Sequence, residues 1–237
     1  MGSVILVSSQ KNEIGKTIIS IKTGVELSKS GKKVLLMDLS SGKKKISEYL
    51  NVNEDIIYDI KDVLDCTCSV EQAIIDITEN LSILPYPRIF DKLNKVKREN
   101  FSKLIIAAKN KYDIIIVDID KTIELSFVDF NNIDIIVSVN NNDYSSVKEI
   151  NNDIDIANKF SLDSSMVVIN RYDKKKSKKG IMLKISDLKK MIEKELTAII
   201  EEDSRYVTLS NDFFFNKEEN IFNDGIKEII NKINSIV

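Results

Sequence analysis

Short, wholly apolar runs alternate along this chain with longer stretches whose apolar positions recur at helical spacing. Val4–Val7, Lys33–Met37, Leu81–Leu84, Ile114–Val117, Asp134–Val139, Met166–Ile169 and Thr197–Ile200 are dominated by aliphatic residues, many β-branched, and predict strands. Between them, Lys16–Ser30, Asn94–Lys111, Tyr144–Phe160, Ile185–Lys194 and Glu219–Ile236 read as helices, with shorter ones at Ile46–Leu50, Ile56–Leu64 and Val70–Ile75. In the first helix Ile18, Ile21, Val25 and Leu27 form the side to be buried, and Gly31 is placed to stop it. In the last, Ile226, Ile229, Ile230, Ile233 and Ile236 repeat at the spacing of a helix packed on a sheet, a pattern a membrane-surface helix would share.

Strands that are apolar on both faces belong to parallel sheets covered by helices. Their alternation with helices predicts an α/β fold, a doubly wound and mostly parallel sheet flanked by helices. One domain over residues 1–237 is the expected organisation. Sites in such sheets form beyond the carboxyl ends of the strands. The informative segments are therefore Gln10–Thr17, Asp38–Lys45, Asp118–Glu124, Asn140–Tyr144 and Asn170–Gly180.

Composition narrows the chemistry. The chain has two cysteines, Cys66 and Cys68, and no histidine, so histidine catalysis and His-based metal sites are excluded. Two thiols fall short of a structural zinc site and read as ordinary residues of a reducing compartment. No apolar run approaches the ~20 residues of a membrane helix, and Met1–Val7 leads into a core strand rather than a leader; a cytoplasmic location is the expectation. With 35 basic and 37 acidic residues the bulk charge selects no polyanion, so nucleic acid is not an expected partner. The Lys174–Lys176, Lys178 and Lys179 run is the one local exception, and it reads as a solvated loop.

Gly15-Lys16-Thr17 follows a strand and opens a helix, the context a phosphate loop requires. There the free N–H groups of the helix start favour an anion, Lys16 can reach phosphate oxygens and the Thr17 hydroxyl can hold Mg²⁺. Asp118 ends an apolar strand as a metal-supporting carboxylate does, with Asp120 two residues on; a turn-forming Asp would look the same. Asp38 ends another strand and is a candidate for the same metal or for water. Asn170, followed by Arg171, ends a third, where an amide can pair with an adenine edge. Gln10 and Glu13 break the glycine pattern of the loop, and Glu13 would repel phosphate unless it points to solvent.

Taken together, these residues resemble the MinD/ParA family of deviant Walker A P-loop ATPases, which includes the pilus-assembly TadZ/CpaE relatives. Lys11-Asn12-Glu13-Ile14-Gly15-Lys16-Thr17 is similar to the family's K-G-G-x-G-K-T. Ile56–Ile60 with Asp62-Val63, Asn170-Arg171-Tyr172, Lys179–Leu183 with Ser186-Asp187, Ile199–Asp203 and Ser210-Asn211 follow in the family's order. The resemblance implies ATP or ADP with Mg²⁺ as cofactor, a homodimer, and Lys11 as the signature lysine that reaches a partner's nucleotide. It assigns catalytic roles to Lys11 and Asp38, nucleotide contacts to Gly15, Lys16, Thr17, Asn170 and Arg171, and the metal to Thr17 and Asp118. Departures qualify it. Both glycines of K-G-G are replaced, the second aspartate after strand two is Ser40, and D-x-P-A-G has become Asp118-Ile119-Asp120-Lys121-Thr122. MinD's C-terminal membrane anchor is not recognisable, so membrane contact is expected only indirectly. The implied role is an atypical nucleotide-binding protein of weak or absent ATPase activity, acting through protein partners on division, pilus or secretion machinery. The alternatives are a working ATPase switch and a DNA-associated partitioning protein.

Overall fold

Burial on both faces puts the apolar strands at the centre of the molecule and the helices outside them. The computed structural model describes residues 1–9, 11, 13–40, 42–88, 96–119, 127–160, 162, 164–202, 211–216 and 221–237. Gln10, Asn12, Asp120, Lys121, Thr122, Glu124, Asp203 and Ser210 lie outside the described residues. The eight strands are β1 (Ser3–Ser8), β2 (Val34–Leu39), β3 (Ile75–Thr78), β4 (Leu81–Leu84), β5 (Ile114–Ile119), β6 (Ile135–Asn140), β7 (Ser164–Tyr172) and β8 (Leu196–Glu201). They form one sheet in the order β3-β4-β2-β5-β1-β6-β7-β8. Among the described residues only the β3–β4 pair is antiparallel. β1 lies in the middle, with β2 and β4 reached on one side and β6, β7 and β8 on the other. The loop after β1 therefore opens where the winding changes direction, the usual place for a ligand in such sheets.

Two departures from the sequence reading come from edges. The helix read over Val70–Ile75 stops at Ala73, and Ile75 opens β3, an unread strand whose burial alternates between half-buried and exposed, as on a half-covered edge strand. The stretch Ile56–Leu64 is not one helix: a 3₁₀ turn covers Asn53–Asp55, and α3 starts only at Ile60, capped by the Asp59 carboxylate on the Lys61 and Asp62 N–H groups.

The longer helices are α1 (Lys16–Lys29), α5 (Arg98–Lys109), α6 (Tyr144–Lys159), α8 (Ile185–Met191) and α10 (Ile221–Asn234), with short ones α2 (Ile46–Tyr49), α4 (Val70–Ala73), α7 (Lys174–Lys178) and α9 (Asn211–Phe215). Ile19, Ile21, Val25 and Leu27 of α1 pack with Ile226, Ile229 and Ile233 of α10 against one face of the sheet. Ile18 is only partly buried. Leu64, Phe101, Leu104, Ile105 and Ala108 cover the other face. Gly24 lets α1 sit close on β2, since a Cβ there would come 2.7 Å from Leu36 Cδ2.

Lys22 of α1 is 1 % exposed, in a helix where lysines are normally solvated. Its ammonium donates to the Phe214 carbonyl at 2.9 Å and the Asn216 carbonyl at 3.2 Å, and pairs with Glu26 at 3.0 Å. Burial holds its pKa below the ordinary 10.5, against the opposing hydrogen bond from Glu26. Lys29 bonds the Phe215 carbonyl in the same way at 3.0 Å. The two lysines thus satisfy carbonyls at the end of α9 and dock Phe213–Phe215 on the phosphate-loop helix. Lys22→Met should lower stability by about 2–3 kcal/mol, because the Phe214 and Asn216 carbonyls lose their donor and Glu26 keeps only Lys29. A urea midpoint unchanged from wild type would show that the buried ammonium holds nothing.

Candidate functional site

The loop from β1 to α1 carries the site. Gly15 is the N-cap of α1 with φ 91° and ψ 18°, a left-handed conformation that glycine adopts without cost. Glu13 also has positive φ, 60°, so the residue standing for a family glycine keeps a glycine-like backbone. Its side chain points outward: it is 60 % exposed and pairs with Lys43 at 2.6 Å. That hydrogen bond, and then the Lys43 charge, hold the Glu13 carboxyl below its ordinary pKa.

Lys16 is 5 % exposed, with Nζ 3.4 Å from the Lys11 carbonyl across the loop. Thr17 Oγ1 donates to Asp118 Oδ2 at 2.6 Å, and Ser20 Oγ lies 3.4 Å from Oδ1. Asp118 is fully buried and stands beside Asp38 in the β2–β5 register. A threonine hydroxyl touching a buried carboxylate next to a phosphate-loop lysine is an oxygen donor set of the kind Mg²⁺ takes, with waters and phosphate completing six ligands. Among the described residues no group of three or more His, Cys, Asp or Glu is placed to hold a metal ion.

Asp38 is 1 % exposed; its Oδ1 accepts from the Ser40 N–H at 3.0 Å and Oδ2 from the Ile46 N–H at 2.8 Å. These bonds shape the loop after β2. Ser40, where the resemblance expects a second carboxylate, lines the cleft. Asn170 Nδ2 donates to the Ile14 carbonyl at 2.6 Å and so braces the phosphate loop. Arg171, at φ 55°, lines the same cleft as Lys16 and Thr17.

Lys11 is turned away from that cleft. Its ammonium pairs with Asp143 at 2.5 Å and lies 3.4 Å from Ser146 Oγ. Asp143 is the N-cap of α6. Burial pushes the Asp143 carboxyl up, but the hydrogen bonds from Lys11, Ser145 and Ser146 outweigh it and leave its pKa below the ordinary 3.8. The lysine run is α7 rather than a loop, N-capped by Asp173, with Lys174 paired to Glu201 and Lys176 to Asp173.

The cleft holds about 300 Å³ between the phosphate loop and the loop after β2. Sequence reasoning marked the segment Asp38–Lys45 without singling out Lys43 or Lys44, and it did not name Tyr49 as a lining residue. Lys44 Nζ lies 4.2 Å from the Tyr49 ring centroid, and Tyr49 rests edge-on against Phe214 of α9. Three lysines directly after a glycine at a strand's carboxyl end were the signal for them.

Residues 5–212 match the profile of the CobQ/CobB/MinD/ParA nucleotide binding domain. The chain belongs to this family. The septum site-determining protein MinD of Thermotoga maritima is 28% identical over 216 residues, 89% of this chain and 79% of that protein. MinD of Bacillus subtilis is 25% identical over 89% of this chain and 80% of its own. Among solved structures, MinD in the MinC:MinD cell division protein complex of Aquifex aeolicus superposes with TM-score 0.82 at 27% identity, covering 99% of this chain and 96% of that one. MinD of Pyrococcus horikoshii complexed with Mg-ADP gives TM-score 0.80 at 23% identity, covering 98% and 96%. The MinD/ParA domain thus accounts for the sheet order and for a phosphate loop at its centre.

Proposed function

We propose that this MinD/ParA-family chain binds ATP or ADP with Mg²⁺ and turns it over slowly or not at all, acting as a dimerising assembly or positioning factor. The observation that carries the reading is the buried Lys16 beside the Thr17–Asp118 contact of 2.6 Å, while Ser40 stands where a hydrolysis-supporting carboxylate is expected. In it, the α1 N-terminus and Lys16 hold phosphates, and Thr17 and Asp118 hold the metal. Without the carboxylate at 40, an attacking water has lost an orienting group, and positioning is most of what such catalysis consists of. Protein machinery of division, pilus or secretion is the partner class; MinD of Aquifex aeolicus, which forms a complex with MinC, supports a protein partner.

Calorimetry of the full chain with MgATP and MgADP tests this. Dissociation constants on the order of micromolar are expected, near −8 kcal/mol. Phosphate release should stay close to the buffer rate and rise in Ser40→Asp. An absence of binding sinks the reading. Rapid turnover by the wild type would instead favour the active-switch reading, for which the assembled Thr17–Asp118 pair is the supporting observation.

A further inference from the structure

The mouth of the phosphate cleft is more basic than a lone phosphate-loop lysine would make it. Among its described lining residues are Lys16, Lys43, Lys44 and Arg171, against a single carboxylate, Glu13. Most of these cations have partners outside the cleft's charge balance. Lys44 lies over the Tyr49 ring and Arg171 Nε is 3.8 Å from Glu202. The neighbouring Lys45 is turned to the Ser40 carbonyl and the Tyr86 ring. Lys43 differs: its ammonium is held 2.6 Å from Glu13, a residue of the phosphate loop itself, so this pair spans the cleft from one loop to the other. Both side chains are largely exposed, 88 % for Lys43 and 60 % for Glu13, so either can swing without disturbing the core. An exposed pair of this kind is weak. A nucleotide's terminal phosphate offers more negative charge and more acceptor oxygens than one carboxylate does.

We propose that Lys43 is a phosphate-binding residue held in reserve by Glu13: it leaves the carboxylate when a polyphosphate enters, and Glu13 thereby sets the affinity of the cleft. The proposal rests on the nucleotide-binding reading above and adds a specificity device to it. It also gives a reason for a glutamate at φ 60°, where the backbone suits glycine: its carboxylate supplies a competitor for an incoming anion. The pKa directions agree, with Glu13 lowered and Lys43 raised chiefly by their mutual hydrogen bond.

The test is a double-mutant cycle read by calorimetry with MgATP and, separately, inorganic tripolyphosphate, on wild type, Glu13→Gln, Lys43→Gln and the double variant. Glu13→Gln should tighten binding about fivefold and Lys43→Gln weaken it about fivefold. The gain from Glu13→Gln should vanish when Lys43 is absent, because there is no lysine left to release. Simple repulsion of phosphate by Glu13 predicts the opposite, a larger gain in the Lys43→Gln background, where the carboxylate is no longer neutralised; that sign would overturn the exchange. Binding by wild type with no change in Glu13→Gln would overturn it too while leaving nucleotide binding intact. A silent wild type with a binding Glu13→Gln variant would support it, and silence in both would remove this proposal and the nucleotide-binding reading together. Thermal melts of the four proteins should coincide, since both positions are exposed.

Discussion

Lys16→Ala should weaken MgATP binding about a hundredfold while moving the stability of the fold little. Lys16 is 5 % exposed, and one of its contacts, from Nζ to the Lys11 carbonyl, is 3.4 Å. A charge-assisted hydrogen bond to phosphate contributes about 1.5–3 kcal/mol, and a loop lysine makes more than one in the bound state. The expected loss is ~3 kcal/mol or more, on the order of a hundredfold in Kd. Removing a buried charge also relieves a desolvation cost, so the urea midpoint should move little. Calorimetry and a urea titration on the same preparations check both halves. Affinity retained within about threefold would place the phosphates elsewhere, since no other lysine of the α1 N-terminus could substitute. A collapse of stability would make Lys16 a structural residue instead.

Much of the fold could be read from the sequence because its strands are apolar on both faces. Val4–Val7 and Ile114–Val117 have no polar position to suggest a solvent face, and only a helix-covered parallel sheet buries both. The reading failed where burial is partial. β3 alternates half-buried Ile75 and Ile77 with exposed Asp76 and Thr78, and it begins so soon after α4 that the helix reading took in Ile75 and the remaining three residues were too few to register as a strand. Lys22 was invisible for another reason. A lysine two turns into an amphipathic helix is nearly always solvated, and the carbonyls that bury this one belong to residues almost two hundred positions away.

The site divides in the same way. Gly15, Lys16, Thr17 and Asp118 were legible because each sits at the carboxyl end of a strand, where the architecture gathers functional groups. In the structure Gly15, Lys16 and Thr17 line one cleft and Thr17 touches Asp118. What could not be read were relations between loops: Lys43 meeting Glu13, Asp143 holding Lys11, and Asn170 bracing Ile14. Such contacts depend on register between strands far apart in sequence, and residue type alone does not encode register. Glu13 shows the limit from the other side. Substitution of a family glycine suggested a distorted cradle, yet the backbone keeps positive φ at that position, and the strain of a side chain there, on the order of 1–2 kcal/mol, is tolerated.

Gly15→Ala is expected to damage both stability and binding. Gly15 has φ 91°, where an L-residue costs about 1–3 kcal/mol. A Cβ would also stand 2.5 Å from Asn170 Nδ2, closer than atoms tolerate. Asn170 cannot simply withdraw, because it is 5 % exposed and its Nδ2 already donates to the Ile14 carbonyl at 2.6 Å. Backbone strain and clash together should cost roughly 2–4 kcal/mol of stability and weaken MgATP binding at least as much as Lys16→Ala, since the amides of the cradle move with Gly15. Asn170→Ala alone should cost about 1–2 kcal/mol for the unpaired Ile14 carbonyl. In the double variant the clash is gone but the positive φ remains. The combined loss in urea midpoints should therefore fall short of the sum by about 1 kcal/mol or more, the coupling expected of two residues in contact. Additive losses would show that Asn170 does not constrain position 15. A Gly15→Ala protein as stable and as competent in binding as wild type would mean that the loop can leave its left-handed turn freely, and that the phosphate cradle is not the rigid element on which the nucleotide-binding reading depends.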